Sequence, residues 1–244
     1  MAGAATAASG RRRVTTADQA SRRTGPHGTP LCHARTEQHG RSAARCRRAL
    51  SNFPAWRVAG AAVRADLRGL APLVGIQTEY SLAERSAERE LLPMAQAHGL
   101  GMVLYSPLAG GLLTGKYRQG QRGRLTARGD AIEGTAQRTA IVDAVLAVAE
   151  ELDASAVQVS LAWLRHRAAL ATTALIPIVG PRTLTQLEEY LTSLDLDLGE
   201  QHYRHLDEVS AIRPGTPHED VTAALNNGVD GDRTLLDSPL IPAI

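Results

Sequence analysis

The chain has 244 residues, of which 43% are hydrophobic and 21% are charged, as is typical of a globular protein in water. It has no apolar run of the ~20 residues that a membrane-spanning helix needs, so we expect no membrane partner. The two cysteines have neither the spacing of a metal site nor the number of a disulfide framework. We therefore expect a protein of the reducing cytoplasm without a bound metal.

The formal net charge of +2 is distributed unevenly along the chain. Residues 1–50 contain ten arginines and two acidic residues, a balance of +8, whereas the remaining residues have a balance of −6. The basic character belongs to the N-terminal segment, so it is no evidence that the folded part binds nucleic acid.

Residues 1–48 show neither the twofold period of a strand nor the 3.6-residue period of a helix. They are rich in Arg and Ala and poor in large apolar side chains, so they bury too little surface to offset the entropy of ordering. We predict that this segment is disordered. Three origins remain open for it: an organelle transit peptide, a nucleic-acid-binding tail, or sequence from a misplaced start or a truncated gene.

A regular α/β pattern begins at residue 49 and becomes irregular after about residue 213. Strands and helices alternate, which predicts parallel strands joined by crossover helices. A loop between residues 107 and 136 is long enough to be functional or mobile. We predict a strand end at 49–52, strands at 73–80, 101–106 and 174–180, and helices at 54–68, 86–99, 137–152, 155–168, 183–194 and 200–212.

Three local features qualify the predicted helices. Pro93 should perturb the first half of the helix at 86–99, because proline removes a hydrogen bond and crowds the preceding turn. Ser155 is the expected N-cap of the helix that follows it. The charged run ERSAERE, residues 84–90, is interpreted as a solvated helix start.

Polar residues stand at the C-terminal end of every predicted strand. In parallel α/β folds, and above all in (β/α)8 barrels, ligands bind at that end of the sheet. A single such residue is compatible with a simple strand terminator, whereas a series of four predicts a binding site. The residues are Ser51-Asn52, Gln77, Tyr105-Ser106 and Gly180.

The segments SNFPAW, QTEYSL, YSPLAGGLLTGKY, IPIVGPRTLTQLEEYL and LDEVS follow one another between residues 49 and 212. Together they resemble the second half of an aldo-keto reductase, a family of (β/α)8 barrels that reduce aldehydes and ketones with NADPH. The resemblance implies an α/β fold that is a partial (β/α)8 (TIM) barrel of about four βα units. It also implies NADP(H) as the cofactor and a small-molecule carbonyl substrate.

The resemblance assigns the nicotinamide end of the cofactor to the first three strand ends. Ser51 and Asn52 match the pair that holds the nicotinamide carboxamide, and Gln77 matches the glutamine that joins them. These side chains offer the donors and acceptors that an amide needs. Tyr105 matches the aromatic residue that stacks on the nicotinamide ring. Helix capping by Asn52 and a core position for Tyr105 are the structural alternatives.

The resemblance assigns the rest of the cofactor to two later segments. Arg124 is a second cation of the pyrophosphate loop or, equally, a solvated arginine. Tyr190 departs from the family, which usually has Asn against the adenine. Ser106, Leu108, Gly110 and Lys116 match the pyrophosphate loop, and Gly180, Arg182, Thr183, Gln186 and Glu189 match the segment that receives the adenosine and its 2′-phosphate.

The catalytic residues of the family lie on its first four strands: an Asp, a Tyr that protonates the carbonyl oxygen, a Lys that lowers the pKa of this Tyr, and a His or other polar residue. This sequence has no Tyr before Tyr80 and no Lys before Lys116, its only lysine. We therefore predict no catalytic residues in this chain. The four βα units would also leave two open sheet edges, which favour self-association.

Three functions follow as hypotheses. The first is a truncated aldo-keto reductase that retains part of the cofactor site without the catalytic set. The second is a non-catalytic NADP(H)-binding or interaction protein that pairs with another half-barrel. The third is an active reductase that receives Asp, Tyr and Lys from a partner chain.

Overall fold

The structure, a computed structural model, describes residues 47–220. The predicted disordered segment lies outside the described residues except for Arg47 and Arg48, and Arg48 already begins a strand. Of the predicted irregular C-terminal part, only residues up to 220 are described, and residues 218–220 are helical.

Four parallel strands form one sheet in the order in which they follow along the chain. Each strand pairs with the next one, which is the arrangement of consecutive strands in the wall of a (β/α)8 barrel. The predicted α/β fold and partial barrel are confirmed. The strands are β1 (Arg48–Ser51), β2 (Leu73–Glu79), β3 (Gly101–Tyr105) and β4 (Leu175–Pro177).

Helices connect and follow the strands, and those predicted after residue 136 are found within two residues of their expected ends. Ser155 caps its helix as predicted, because its hydroxyl accepts a hydrogen bond from the Gln158 backbone N–H at 3.1 Å. The helices are α1 (Ala55–Leu67), α2 (Leu91–Ala97), α3 (Arg124–Arg128), α4 (Ala136–Glu151), α5 (Ala156–Leu170), α6 (Leu184–Thr192) and α7 (Gly199–Ser210).

The predicted helix at 86–99 is divided in the structure. A 3-10 turn covers Ser86–Glu88, and α2 begins only at Leu91. Pro93 lies in the first turn of α2, where a missing backbone N–H breaks no intrahelical hydrogen bond. The proline therefore sets where the helix begins.

The predicted loop at 107–136 is more ordered than expected. It contains 3-10 helices at Ala109–Thr114 and Lys116–Gln119, followed by α3. Gly115 and Gly120 end the two 3-10 helices with φ of 70° and 73°, which glycine adopts without steric cost. The many glycines that predicted an irregular loop instead separate three short helices.

The core lies between the sheet and the helices, and α4 and α5 contribute most of its helical side chains. Leu92, Met102, Trp163 and Leu206 are all at most 1% exposed. The two helices nearest the ends of the sheet contribute little, since α1 buries only Val58 and Ala65 and α6 buries no residue.

The interpretation of ERSAERE as a solvated helix start is wrong for Arg85 and Glu88, which are 4% and 5% exposed. Glu88 accepts hydrogen bonds from Arg85, from Arg167 on α5 and from the hydroxyl of Tyr80. Asp207 on α7 lies 3.0 Å from Arg85 and 3.4 Å from Arg167. This buried ionic cluster joins the end of β2 to two helices, and Arg85 and Glu88 can be buried because each charge has a partner.

None of the helices within residues 47–220 combines the length and the apolar character required to cross a lipid bilayer.

Candidate functional site

The pairing of β1 with β2 brings three predicted site residues together. Ser51 is in register with Gln77, and its hydroxyl donates a hydrogen bond to Gln77 Oε1 at 3.1 Å. The Tyr105 hydroxyl at the end of β3 donates to Asn52 Oδ1 at 3.2 Å. The four side chains therefore form one polar group across the carboxyl ends of β1, β2 and β3.

The backbone turns sharply at two of the strand ends. Asn52 and Ser106 have φ of 57° and 55°, the left-handed region that residues other than glycine rarely adopt. The Asn52 N–H donates to the Gln77 carbonyl at 3.2 Å, which anchors this turn to β2. Such strained positions cluster at functional sites, where the surrounding structure holds them in place.

The free hydrogen-bonding capacity of this group suits a carboxamide ligand. Within residues 47–220, Gln77 Nε2 and Asn52 Nδ2 have no hydrogen-bond partner, so both amides keep donors available. Asn52 does not cap the next helix, since Pro54 is the N-cap of α1 and no side chain bonds there. Tyr105 is only partly buried, which argues against a simple core role.

A cleft of about 420 Å³ adjoins this group and contains Ser106, Gly110 and Arg124 of the predicted loop. Five further charged residues line this cleft, and none of them was predicted as a site residue. Glu79 was detectable, because it follows Gln77 by two positions and so shares its face of β2. The missed residues are Glu79, Glu84, Arg128, Asp130 and Arg138.

This cleft, called here the arginine cleft, carries three arginines and three carboxylates. Burial raises the pKa of the Glu79 carboxyl above its ordinary value, and the charge of Glu84 raises it further. A hydrogen bond with Ser106 and the charges of Arg138 and Arg128 act in the opposite direction. The cleft therefore offers cations to an anionic ligand next to a carboxyl whose pKa is raised.

Lys116 and Leu108 do not line the arginine cleft. The Lys116 ammonium lies 5.1 Å from the centre of the Tyr117 ring. It also lies so close to Gly111 and Gly123 that a Cβ at either position would meet Nζ at 2.8 Å. Lys116 thus fills the inside of its own loop, while Leu108 packs against the hydrophobic core.

The predicted residues after β4 form the start of α6. Thr183 is the N-cap, accepting from the Gln186 N–H at 3.2 Å, and Gln186 Oε1 accepts from the Arg182 N–H at 2.8 Å. Arg182 and Gly180 are exposed, and Glu189 is half-buried. Burial raises the pKa of the Tyr190 hydroxyl and the charge of Glu189 raises it further, whereas the charge of Arg124 in the arginine cleft lowers it.

Sequence comparisons identify the family of the chain. The model of the aldo/keto reductase family matches residues 47–211, which is more than half of the chain. The chain belongs to the aldo/keto reductase family. This match extends over the strands β1–β4 and the helices α1–α7, and with them over every predicted site residue.

Several aldo/keto reductase relatives share part of their length with this chain. An uncharacterized oxidoreductase of Bacillus subtilis, YrpG, is 38% identical over 160 residues, covering 65% of this chain and 47% of the relative. The aldo-keto reductase ausK of Emericella nidulans is 28% identical over 202 residues, or 79% and 47% of the two chains. An uncharacterized oxidoreductase of Mycobacterium tuberculosis is 32% identical over 163 residues, or 65% and 47%.

The chain spans about half the length of the curated relatives it matches. Aldo/keto reductases generally use NAD(P)H as cofactor, and they are oxidoreductases of small carbonyl compounds.

Proposed function

We propose that this aldo/keto reductase chain binds NADP(H) at the carboxyl ends of its strands and does not by itself reduce aldehydes or ketones. The observation that carries the first half is the polar group of Ser51, Asn52, Gln77 and Tyr105, held together by two hydrogen bonds. The second half rests on the absence of Tyr and Lys, two of the family's catalytic residue types, from the part of the sequence that precedes this group.

The polar group would hold the nicotinamide. The unpartnered amide donors of Gln77 and Asn52 would bind the carboxamide oxygen, and the Ser51 hydroxyl would accept from the carboxamide NH2. The ring of Tyr105 would cover one face of the nicotinamide and keep water from it. The bound cofactor supplies a hydride for carbonyl reduction, the reaction class of the lineage.

The arginine cleft would receive the pyrophosphate. Arg124 lines it together with Arg128 and Arg138, and Ser106 and Gly110 line the same cleft. Lys116 would have to leave the Tyr117 ring to reach a phosphate. Beyond the cleft, Arg182 would bind the 2′-phosphate beside the exposed N-terminus of α6, and Gly180, Thr183, Gln186 and Glu189 would form the surroundings of the adenosine.

No residue of this chain is available as the family's proton donor. The sequence has no Tyr before Tyr80 and no Lys before Lys116. The hydroxyl of Tyr80 is buried and bonded to Glu88 and Arg167, and burial raises its pKa, so it cannot exchange a proton with a substrate. Small carbonyl compounds are therefore proposed as substrates of the family and not of this chain by itself.

The lack of a disulfide framework suits a cytoplasmic location.

Fluorescence titration of the 244-residue chain with NADPH tests the proposal. We expect saturable binding, and Tyr105→Ala is expected to weaken it about fivefold, because a stacked aromatic pair contributes roughly 1 kcal/mol. Arg204→Ala, an exposed position on α7, serves as the control and is expected to bind like the wild type. Absence of saturable binding would disprove the proposal that this chain binds NADP(H).

The proposed lack of reductase activity is tested by adding a simple aldehyde to the chain saturated with NADPH. We expect no oxidation of NADPH above the rate without protein. A protein-dependent rate that Tyr105→Ala abolishes would show that the chain is an active reductase.

A further inference from the structure

The two end strands of the sheet each have one unpaired edge within residues 47–220. The strand order β1-β2-β3-β4 leaves the outer edges of β1 and β4 without a neighbour. In a parallel βα wall, each helix covers the space between its own strand and the next one. The helix α6 follows β4 and has no next strand to cover, which explains why it buries no residue.

Exposed apolar side chains concentrate at these two ends of the sheet. Thirteen large hydrophobic residues are exposed among those described, and eleven of them lie at the ends. Such clusters mark interaction surfaces, since single exposed apolar residues scatter over a monomer. At the first end they are Trp56, Val63, Leu67 and Leu70, and at the second Ile176, Ile178, Val179, Leu184, Leu187, Leu191 and Leu194.

The two ends carry opposite charge. Residues 47–72, called here the basic edge, contain five arginines and one acid, a balance of +4. Residues 175–198, called here the acidic edge, contain one arginine and four acids, a balance of −3. Each end therefore repels a copy of itself and attracts a copy of the other end.

We propose that a second copy of this chain closes the barrel, with the acidic edge of each copy packed against the basic edge of the other. Two four-stranded parallel sheets joined in this way give eight parallel strands, the number in a closed (β/α)8 barrel. A twofold axis along the barrel makes the two junctions identical, so the assembly ends at two copies. Neither copy keeps an open edge.

The shape of the basic edge fits helix α6 of the other copy. A groove of about 780 Å³ runs between α1 and β1, with Gly60 and Ala61 among its lining residues and Arg57, Arg64 and Arg68 along α1. On α6, Glu188 lies within the apolar row of Leu184, Leu187 and Leu191, because these positions are three, four and seven residues apart. Seating α6 in the groove would bring Glu188 to the arginines.

The strand edges contribute less than the helices to this junction. In β4 the backbone groups of Ala174 and Ile178 bond to β3, so the alternate positions Leu175 and Pro177 face the open edge. Proline has no N–H to donate, which leaves Leu175 as the one donor of β4 toward β1 of the other copy. We therefore place the specificity of the junction in the helix charges.

Charge reversal tests the assembly. We expect the 244-residue chain to sediment at twice its mass of 26.0 kDa. Arg64→Glu or Glu188→Arg alone is expected to weaken the dimer about 100-fold, because each places like charges together. The double substitution restores opposite charges at both junctions, so it is expected to restore the dimer. Arg204→Glu on α7 is the control and should leave the mass unchanged.

Three results would overturn the proposal. One is a folded wild-type monomer at the highest soluble concentration, whose edges are then covered by other parts of its own chain or remain bare. Another is a dimer that neither single substitution weakens, which would place the interface elsewhere. A double variant that stays monomeric while its circular dichroism matches the wild type would show that residues 64 and 188 do not meet.

Discussion

At the scale of single residues, the proposed NADP(H) site gives Arg182 the role of selecting between NADPH and NADH. It precedes the N-cap of α6, where free backbone N–H groups and its own guanidinium both favour a phosphate. We expect Arg182→Ala to weaken NADPH binding about tenfold or more, since charged hydrogen bonds contribute roughly 1.5–3 kcal/mol. NADH, which lacks the 2′-phosphate, is expected to bind both forms alike in parallel titrations.

Glu79 gives the stability of the chain a dependence on pH. Its pKa is raised in the folded state above the ordinary value of 4.5, first by burial and then by Glu84. As the pH rises from 4.5 toward the raised value, the unfolded state loses this proton more readily than the folded state. The free energy of unfolding therefore falls across that window.

Urea unfolding across the same pH range measures this effect. Glu79→Gln cannot ionise, so its free energy of unfolding is expected to fall less than that of the wild type above pH 4.5. Glu150→Gln, on the exposed side of α4, is the matched control and should keep the wild-type profile. Parallel profiles for Glu79→Gln and the wild type would contradict the assignment.

The polar group of Ser51, Asn52, Gln77 and Tyr105 could be predicted from sequence because each residue stands at a strand end. Parallel pairing then brings such ends together without further information. The arginine cleft could not be predicted in this way, because Arg138 and Glu79 are 59 positions apart and meet only through the path of the intervening loop. The inward position of Lys116 depends equally on the packing of Tyr117 and two glycines.

At the scale of elements, the buried ionic cluster links β2 to α5 and α7. Glu88→Gln removes its central charge and leaves Arg85 and Arg167 with only Asp207 nearby. Breaking a buried ion pair from one side commonly costs about 3–5 kcal/mol, so we expect a loss near 3 kcal/mol in the free energy of unfolding.

The exposed pair of Glu200 and Arg204 on α7 provides the comparison for this variant. Glu200→Gln is expected to cost less than about 1 kcal/mol, because water already screens that pair. Equal losses for the two variants in urea unfolding would mean that Asp207 alone neutralises the two buried arginines.

Helix starts with a side-chain cap were easier to predict than polar runs without periodicity. Ser155 and Thr183 both precede Gln by three residues, and each caps its helix. The run at 84–90 reads as solvated because five of its seven residues are charged. The burial of Glu88 depends on Arg167, which lies 79 residues later in the chain, and no local sequence pattern can reveal that contact.

At the scale of the whole molecule, the alternation of strands and helices was sufficient to predict four parallel strands, because short connections make consecutive strands neighbours. The same pattern predicts that the sheet has two ends. It does not predict that one end carries a groove and the other an exposed helix. These features are found only when α1 and α6 are placed beside β1 and β4.

The chain has two tryptophans in opposite environments. Trp163 is 0% exposed, between Arg85 and Arg167, whose guanidinium carbons lie 5.2 and 5.8 Å from its ring. Trp56 is 71% exposed beside the groove of the basic edge. The intrinsic tryptophan fluorescence of the chain thus contains two separable signals. Emission at shorter wavelength from the buried Trp163 reports unfolding. Emission at longer wavelength from the solvent-exposed Trp56 reports binding at the basic edge.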